Sequence, residues 1–129
     1  LSIYAKQLST ATFRLLKECL PGPYTFILPA SKMVPKILQS NKDTVGLRIP
    51  DNKIALAIIN ELGRPILSAS LPGELVEDYT DPEIMHENFM HDVDIVIDGG
   101  IGGVIPSTVI DCTGPEPVVL RRGAGEWKE

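Results

Sequence analysis

Residues 104–126, "VIPSTVIDCTGPEPVVLRRGAGE", carry the strongest local signal for the fold. Two short apolar runs, residues 109–112 and 118–120, flank a segment rich in Gly and Pro. Such runs on either side of a turn-forming segment predict a β-hairpin. Pro-Ser-Thr opens the first predicted strand, and two arginines followed by Gly-Ala-Gly close the second. The sequence therefore raises the question of why a hairpin carries hydroxyls at one end and guanidinium groups at the other.

Helical and strand patterns alternate upstream of this hairpin. Helical periodicity predicts helices over residues 8–20, 32–40, 51–62 and 81–89. Short β-branched or aromatic runs predict strands over residues 24–28, 44–49, 66–70 and 93–98. Candidate helix caps are Ser9 or Thr10 for the first helix, Asp51 or Asn52 for the third, and Asp81 for the fourth.

The order of these elements predicts the fold class. Strands and helices alternate through the first two thirds of the chain, and strands cluster at the end. This order favours an α/β fold with a twisted, mixed open sheet and flanking helices. A length of 129 residues predicts a single domain over residues 1–129. Apolar residues at 43% and charged residues at 22% are typical of a globular chain.

Charge and cysteine content exclude several classes of protein. A net charge of −5 argues against nucleic-acid binding driven by bulk charge. No apolar run approaches the roughly 20 residues of a membrane span, and the first residues, "LSIYAKQLST", do not read as a signal peptide. Cys19 and Cys112 lie in apolar surroundings and are interpreted as small core residues. We therefore expect a cytoplasmic protein without a membrane partner.

Two motifs that suggest cofactor chemistry do not fit their patterns. His86 and His91 are five residues apart, so on a helix they point about 140° from each other. This is not the spacing of a zinc protease, and we interpret both as surface residues. The run "DGGIGG" matches neither the dinucleotide fingerprint nor the P-loop. We therefore expect no metal site and no prosthetic group.

Arg48, Ser68 and Ser70 are candidate binding residues. Arg48 interrupts an apolar strand. Its side chain either faces solvent or presents a guanidinium that binds a carboxylate or phosphate through two hydrogen bonds. Ser68 and Ser70 share a face at the end of a predicted strand, where open α/β sheets bind ligands. Serines at such positions are also common turn formers.

Ser107, Thr108 and Arg121 at the hairpin extend this set. Guanidinium groups combined with neutral hydroxyls can bind an anionic small molecule that carries phosphate or carboxylate groups. The set contains no base for a serine nucleophile, so we do not expect hydrolysis by a triad. Any catalysis would depend on positioning and charge stabilisation.

Six stretches, in this order, resemble one known family. They are "LPGPYTFILPAS", "TVGLRIP", "PILSAS", "VDIVIDGG", "PSTVIDCTG" and "VVLRRGAGE". As an ordered set they resemble the C-terminal two thirds of the YrdC/YciO family, and "YTFIL" and "SASLPG" are most similar to the YciO branch. Because the chain begins with Leu inside a structured pattern, we expect it to be the C-terminal portion of a longer protein.

The resemblance implies a fold and a reaction. The fold is of the YrdC/RibB type, a twisted mixed sheet around a concave, positively charged cavity. One branch of the family makes threonylcarbamoyl-AMP from L-threonine, bicarbonate and ATP, releases pyrophosphate, and so supplies tRNA threonylcarbamoyladenosine modification. The resemblance thus implies a nucleotidyltransferase with ATP as substrate, accompanied by Mg²⁺.

The resemblance also assigns roles to residues of this chain. It implies that threonine is bound by Arg48, Ser68 and Ser107, and that ATP is bound by Thr44, Ser70 and Arg121. The family's Lys-x-Arg motif, which binds the triphosphate of ATP, lies outside the part of the family that this chain resembles. We therefore expect weak or no turnover from this chain alone. The serine strand continues as Ser-Leu-Pro, where the synthase branch has Ser-Ala-Asn.

An alternative interpretation is a double-stranded RNA or tRNA-binding module without synthase activity, since family members were first described as binding such RNAs. Seven basic residues are candidates for a local patch: Arg14, Lys17, Lys32, Lys36, Lys42, Arg121 and Arg122. We also expect a truncated sheet to expose an edge or an apolar face, either of which favours dimerisation.

Overall fold

The computed structural model describes residues 3–128. Its helices and strands, in chain order, are α1 (Thr10–Cys19), β1 (Tyr24–Pro29), β2 (Thr44–Leu47), α2 (Lys53–Leu62), α3 (Pro82–Phe89), β3 (Thr108–Asp111) and β4 (Val118–Arg121). The chain divides into two compact units, one formed by residues up to 56 and from 106 onward, the other by residues 57–105. That residues 1–129 act as a single domain stays a prediction.

The first unit contains a four-stranded sheet with the order β2-β1-β3-β4. β1 pairs parallel with β3, while β2 pairs antiparallel with β1 and β4 pairs antiparallel with β3. The sheet is therefore mixed and open, as the sequence predicts. The predicted hairpin is confirmed, with an irregularity in its register between Val109 and Ile110.

The core lies on one face of this sheet. Phe26 and Leu28 of β1 and Ile110 of β3 are buried, and Leu16 of α1 packs in the same cluster. Successive side chains of a strand point to opposite faces, so Thr25 lies on the face away from this cluster. One face of the sheet is thus apolar, and the other is available for polar groups.

The predicted helix ends are confirmed where a side chain caps the backbone. Ser9 caps α1 by accepting the N–H of the residue three positions on. Asn52 accepts two backbone N–H groups at the start of α2, and Asp81 accepts one at the start of α3. Gly63 ends α2 with a φ of +74°, a backbone conformation that favours glycine.

The helix predicted over residues 32–40 is wrong. The structure has only a short 3₁₀ turn there, Lys36–Leu38. The residue before a proline is disfavoured in helical conformation, so Pro35 interrupts the helix after Val34. The predicted apolar face is also not packed, because Ile37 is 91% exposed whereas Val34 is buried.

The strands predicted over residues 66–70 and 93–98 are wrong for a different reason. Neither segment pairs with another strand among the residues that the structure describes. A strand is defined by its ladder of backbone hydrogen bonds, and a side-chain pattern cannot replace a missing partner. The apolar residues that suggested these strands are exposed, with Leu67 at 76% and Ile95 at 75%.

Candidate functional site

Ser107 and Arg121 lie side by side at one end of the hairpin. β3 begins just after Ser107 and β4 ends at Arg121, and the antiparallel pairing brings these two points together. The Arg121 guanidinium donates to the Ser107 carbonyl oxygen from Nε at 3.1 Å and from Nη2 at 2.8 Å. Nη2 also lies 3.2 Å from Ser107 Oγ. The hydroxyl and guanidinium groups flagged in the sequence therefore form one cluster.

Thr25 joins this cluster from the neighbouring parallel strand. Its Oγ1 lies 2.7 Å from Ser107 Oγ in a hydrogen bond that either hydroxyl can donate. Ser107 is buried, whereas Arg121 is exposed. We call Thr25, Ser107 and Arg121 the hydroxyl–guanidinium cluster. It combines an ordered pair of neutral hydroxyls with one accessible cation.

The segment after β4, residues 122–127, folds back over the same end of the sheet. The fully buried Thr108 donates from Oγ1 to the Gly125 carbonyl oxygen at 2.6 Å and accepts from the Gly123 N–H at 3.0 Å. Tyr24 donates from Oη to the Glu126 carbonyl oxygen at 2.7 Å. We call residues 122–127 the C-terminal strap. Thr108 and Tyr24 anchor it at this strand end from the core face of the sheet.

Arg48 follows β2 directly at this same end of the sheet. Phe26 pairs with Leu47, so continuing the register by one residue places Arg48 beside Thr25. The chains remain adjacent beyond this point, because the Gly22 N–H donates to the Ile49 carbonyl oxygen at 2.9 Å. Arg48 is exposed. It therefore adds a second accessible cation next to the cluster.

Thr44 lies at the opposite end of β2. It pairs with Pro29, and its Oγ1 lies 2.7 Å from Ser40 Oγ in the preceding turn. Four residues of strand separate Thr44 from Arg48, a distance of about 13 Å at the usual rise per residue. The structure does not bring Thr44 to the hydroxyl–guanidinium cluster.

Ser68 and Ser70 belong to the second unit, residues 57–105. Both are exposed, and the segment that carries them forms no strand. Of the six residues assigned by resemblance, the structure thus joins Ser107 to Arg121 directly and places Arg48 at the same strand end.

Burial affects the titration of two thiols and one phenol in the first unit. Burial, with the nearby Asp111 and Cys19, raises the pKa of Cys112 to about 11. Burial and the neighbouring Glu18 also raise the pKa of Cys19. Burial, with a smaller effect of Cys19 and Glu126, raises the pKa of Tyr24. The two cysteines are free and pack against the core, so at neutral pH they are protonated thiols rather than nucleophiles.

The histidines and carboxylates do not form a metal centre in the part of the chain that the structure describes. No three His, Cys, Asp or Glu side chains among residues 3–128 come together as metal ligands. His86 and His91 are both exposed. Among the same residues, no helix has the length and apolar character needed to cross a membrane.

Sequence reasoning missed Thr25 and Tyr24. Thr25 precedes the buried Phe26, so the period-two alternation of "YTFIL" already places its hydroxyl on the face away from the core. The role of Tyr24 had no local signal, because its partner Glu126 is 102 residues away. Hydroxyls and guanidinium groups in this arrangement can bind and orient an anion, but they supply no general base.

Sequence comparison identifies a family over nearly the whole chain. Residues 1–123 match the Sua5/YciO/YrdC family, whose description reads "Telomere recombination". The uncharacterised protein YciO of Escherichia coli is 48% identical over 120 residues, which cover 90% of this chain and 57% of its own. A threonylcarbamoyl-AMP synthase of Pyrococcus abyssi is 37% identical over 126 residues, which cover 95% of this chain and 36% of the synthase.

Solved structures agree with this assignment. The crystal structure of E. coli YciO superposes with a TM-score of 0.87 at 42% identity, over 97% of this chain and 61% of YciO. P. abyssi Sua5 complexed with L-threonine superposes with a TM-score of 0.80 at 37% identity, over 94% of this chain and 36% of Sua5. The chain thus spans about three fifths of the length of YciO. It belongs to the Sua5/YciO/YrdC family.

Proposed function

We propose that this chain is the ligand-binding part of an enzyme that makes threonylcarbamoyl-AMP from L-threonine, bicarbonate and ATP and so serves tRNA modification. The observation that carries the proposal is the hydroxyl–guanidinium cluster, with Arg48 at the same strand end. The likeness to a P. abyssi threonylcarbamoyl-AMP synthase, and to Sua5 complexed with L-threonine, supports threonine as the amino acid.

In this proposal Arg48 and Ser107 bind threonine from the sheet. The planar guanidinium of Arg48 matches the geometry of a carboxylate and can bind it through two parallel hydrogen bonds. Ser107 Oγ is held by Thr25, so its remaining hydrogen-bonding capacity has a fixed direction.

Arg121 binds the phosphates of ATP. Its hydrogen bonds to Ser107 use Nε and Nη2, which leaves the two donors on Nη1 for an anionic ligand. Nucleotidyl transfer displaces pyrophosphate, and the transition state needs charge neutralisation and in-line placement more than a protein base. Mg²⁺ would enter with the phosphates of ATP, as it commonly does in phosphoryl-transfer sites.

Calorimetry with L-threonine tests the amino-acid site. The wild-type chain should bind threonine. Arg48→Ala should reduce the affinity at least tenfold, because the threonine carboxylate loses the guanidinium that binds it. Arg14→Ala is the matched control, since Arg14 is exposed on α1, away from the cluster. Equal affinity of the two variants would reject the assignment of Arg48.

Pyrophosphate release tests the reaction itself. We would supply ATP, bicarbonate and threonine to this chain alone and to the chain joined to the part of E. coli YciO that lies outside the match. Threonine-dependent release by the joined form supports the synthase proposal. If threonine does not stimulate release in either form, the synthase proposal fails for this protein.

RNA binding is a second candidate function, favoured by one observation. All seven basic residues of the predicted patch are exposed, and all belong to the unit that contains the sheet. A mobility-shift titration with double-stranded RNA at two salt concentrations tests it, because phosphate contacts lose affinity steeply as salt rises. Salt-independent retardation, or none, would exclude this candidate.

A further inference from the structure

Ser107 Oγ has two hydrogen-bond partners within the hydroxyl–guanidinium cluster. Arg121 Nη2 lies 3.2 Å from it and can only donate. Thr25 Oγ1 lies 2.7 Å from it and can either donate or accept. A hydroxyl has one proton to donate and two lone pairs that accept. The direction of the bond between Thr25 and Ser107 therefore decides whether Ser107 offers a proton or a lone pair to a ligand.

The Thr25 side chain is held in one orientation by the two neighbouring strands. It is half-buried on the face of β1 away from the core. Its methyl group lies toward β2, where a Cβ at Gly46 would lie 3.4 Å from Thr25 Cγ2. Among the residues that the structure describes, Ser107 is the only hydrogen-bond partner of the Thr25 hydroxyl. The Thr25 hydroxyl is therefore directed at Ser107 alone.

The two arginines beside this pair indicate the direction of the bond. Arg121 contacts Ser107, and Arg48 follows β2 beside Thr25 in the continued register. Both guanidinium groups are exposed and carry only donors, so a ligand that binds them must supply acceptors. If Thr25 donates, both lone pairs of Ser107 are occupied and its proton faces the ligand. The opposite direction would turn a lone pair of Ser107 toward an anion, which is repulsive.

We propose that Thr25 is a positioning residue that makes Ser107 a hydrogen-bond donor, so that this point of the site takes a carboxylate or phosphate oxygen and rejects an ammonium group. Thr25 acts through Ser107 and does not touch the ligand. The inference rests on the anionic ligand of the proposed function and adds which part of that ligand Ser107 contacts. For L-threonine, Ser107 donates to the carboxylate and does not accept from the amino group.

A double-mutant cycle tests whether Thr25 acts through Ser107. Calorimetry gives the affinity for L-threonine and, separately, for inorganic phosphate. Thr25→Val keeps the branched shape and should weaken binding at least fivefold, because the Ser107 proton is no longer directed at the ligand. In a Ser107→Ala background the same change should alter the affinity less than twofold. Thr25→Ser restores the hydroxyl and should return the affinity to within twofold of the wild type.

Thr12→Val is the matched control for this cycle. Thr12 Oγ1 accepts from Ser9 Oγ at 2.9 Å at the start of α1, so this variant also removes one member of a hydroxyl pair. It should leave both affinities unchanged.

Two analogues of threonine test the direction of the hydrogen bond. 3-Hydroxybutyrate lacks the amino group, and threoninol lacks the carboxylate. Thr25→Val should weaken binding of 3-hydroxybutyrate at least fivefold and should not weaken binding of threoninol. A loss for threoninol as large as the loss for 3-hydroxybutyrate would overturn the assignment of Ser107 as a donor to the carboxylate.

The outcomes separate this inference from the proposed function. An equal loss from Thr25→Val with and without the Ser107 hydroxyl would give Thr25 a structural role only and overturn the proposal. Unchanged affinity in Thr25→Val, or a Thr25→Ser variant as weak as the valine variant, would also overturn it. A wild-type chain that binds phosphate but not threonine would reject the proposed amino acid, and the phosphate cycle would then decide the role of Thr25. A wild-type chain that binds neither would overturn both.

Discussion

The Arg121 guanidinium and the Ser107 carbonyl oxygen are joined by two hydrogen bonds, at 3.1 Å from Nε and 2.8 Å from Nη2. A backbone carbonyl cannot rotate independently of its strand, so it fixes the plane of the guanidinium. Arg121 is exposed, yet its orientation is set before any ligand arrives. Such preorganisation lowers the entropic cost of binding an anion.

Arg121→Lys tests how much the two hydrogen bonds from Arg121 to the Ser107 carbonyl oxygen contribute to stability. Lysine keeps the charge but has one ammonium group in place of two donors in a fixed plane. We expect a loss of about 1 kcal/mol in the free energy of unfolding, less than the roughly 1.5–3 kcal/mol of a charged hydrogen bond because the side chain is exposed. Urea denaturation measures it, with Arg14→Lys as the control. Equal unfolding midpoints for the two variants would show that these two hydrogen bonds contribute nothing to stability.

Thr108 anchors the C-terminal strap through both functions of one hydroxyl. Thr108→Val keeps the shape but leaves the Gly125 carbonyl and the Gly123 N–H without their partner. We expect a loss of about 2–4 kcal/mol, the sum of two unsatisfied backbone groups at 1–2 kcal/mol each. Thr108→Ser keeps both hydrogen bonds and should cost about 1 kcal/mol for the missing methyl group. A serine variant less stable than the valine variant, in chemical denaturation, would contradict this assignment.

Gly123 lies where the strap passes closest to the sheet. A Cβ there would collide with the carbonyl oxygen of Pro106, so the strap cannot keep its path with a side chain at this position. We expect Gly123→Ala to destabilise the protein by about 1–3 kcal/mol, the usual cost of overpacking. In Gly114→Ala the new Cβ meets no atom within 4 Å. That variant should change stability by no more than about 0.5 kcal/mol, and thermal unfolding of the pair makes the comparison.

The fold was predictable where the local signal is strong and the segment pairs with a neighbouring strand. The strand predicted over residues 24–28 forms as β1, Tyr24–Pro29, and the hairpin also forms, because their alternating side chains have a core to pack against. Residues 93–97 carry an equally clear alternation, yet they form no strand. A β-ladder needs a partner segment, and the periodicity of one segment carries no information about which other segment pairs with it.

The candidate site was predictable only in part for a related reason. Residue type identified Arg48, Ser107 and Arg121 as candidates for anion binding. The contact between Ser107 and Arg121 follows from the antiparallel hairpin, which brings its first and last residues together. The contribution of Thr25 needed the parallel pairing of β1 with β3, which no local pattern specifies, because Thr25 and Ser107 are 82 residues apart.

Cys112 predicts how stability changes in alkaline solution. Its thiol titrates near pH 9.0 when unperturbed and near pH 11 in the folded protein, chiefly because of burial. Between these values the unfolded chain has lost its proton while the folded chain keeps it. Proton loss therefore favours unfolding, and the free energy of unfolding should fall as pH rises from about 9 to about 11. Urea midpoints measured at several pH values in this interval should decrease steadily.

Cys112→Ala isolates the contribution of this thiol. Removing the titrating group should make the decline between pH 9 and pH 11 shallower, even if the variant is less stable at pH 7 because a half-buried thiol that packs against the core is lost. Some decline should remain, since burial also raises the pKa of Cys19 and Tyr24. The informative quantity is therefore the slope of stability against pH rather than its absolute value. Identical slopes for the variant and the wild type would show that Cys112 ionises as easily in the folded state as in the unfolded chain.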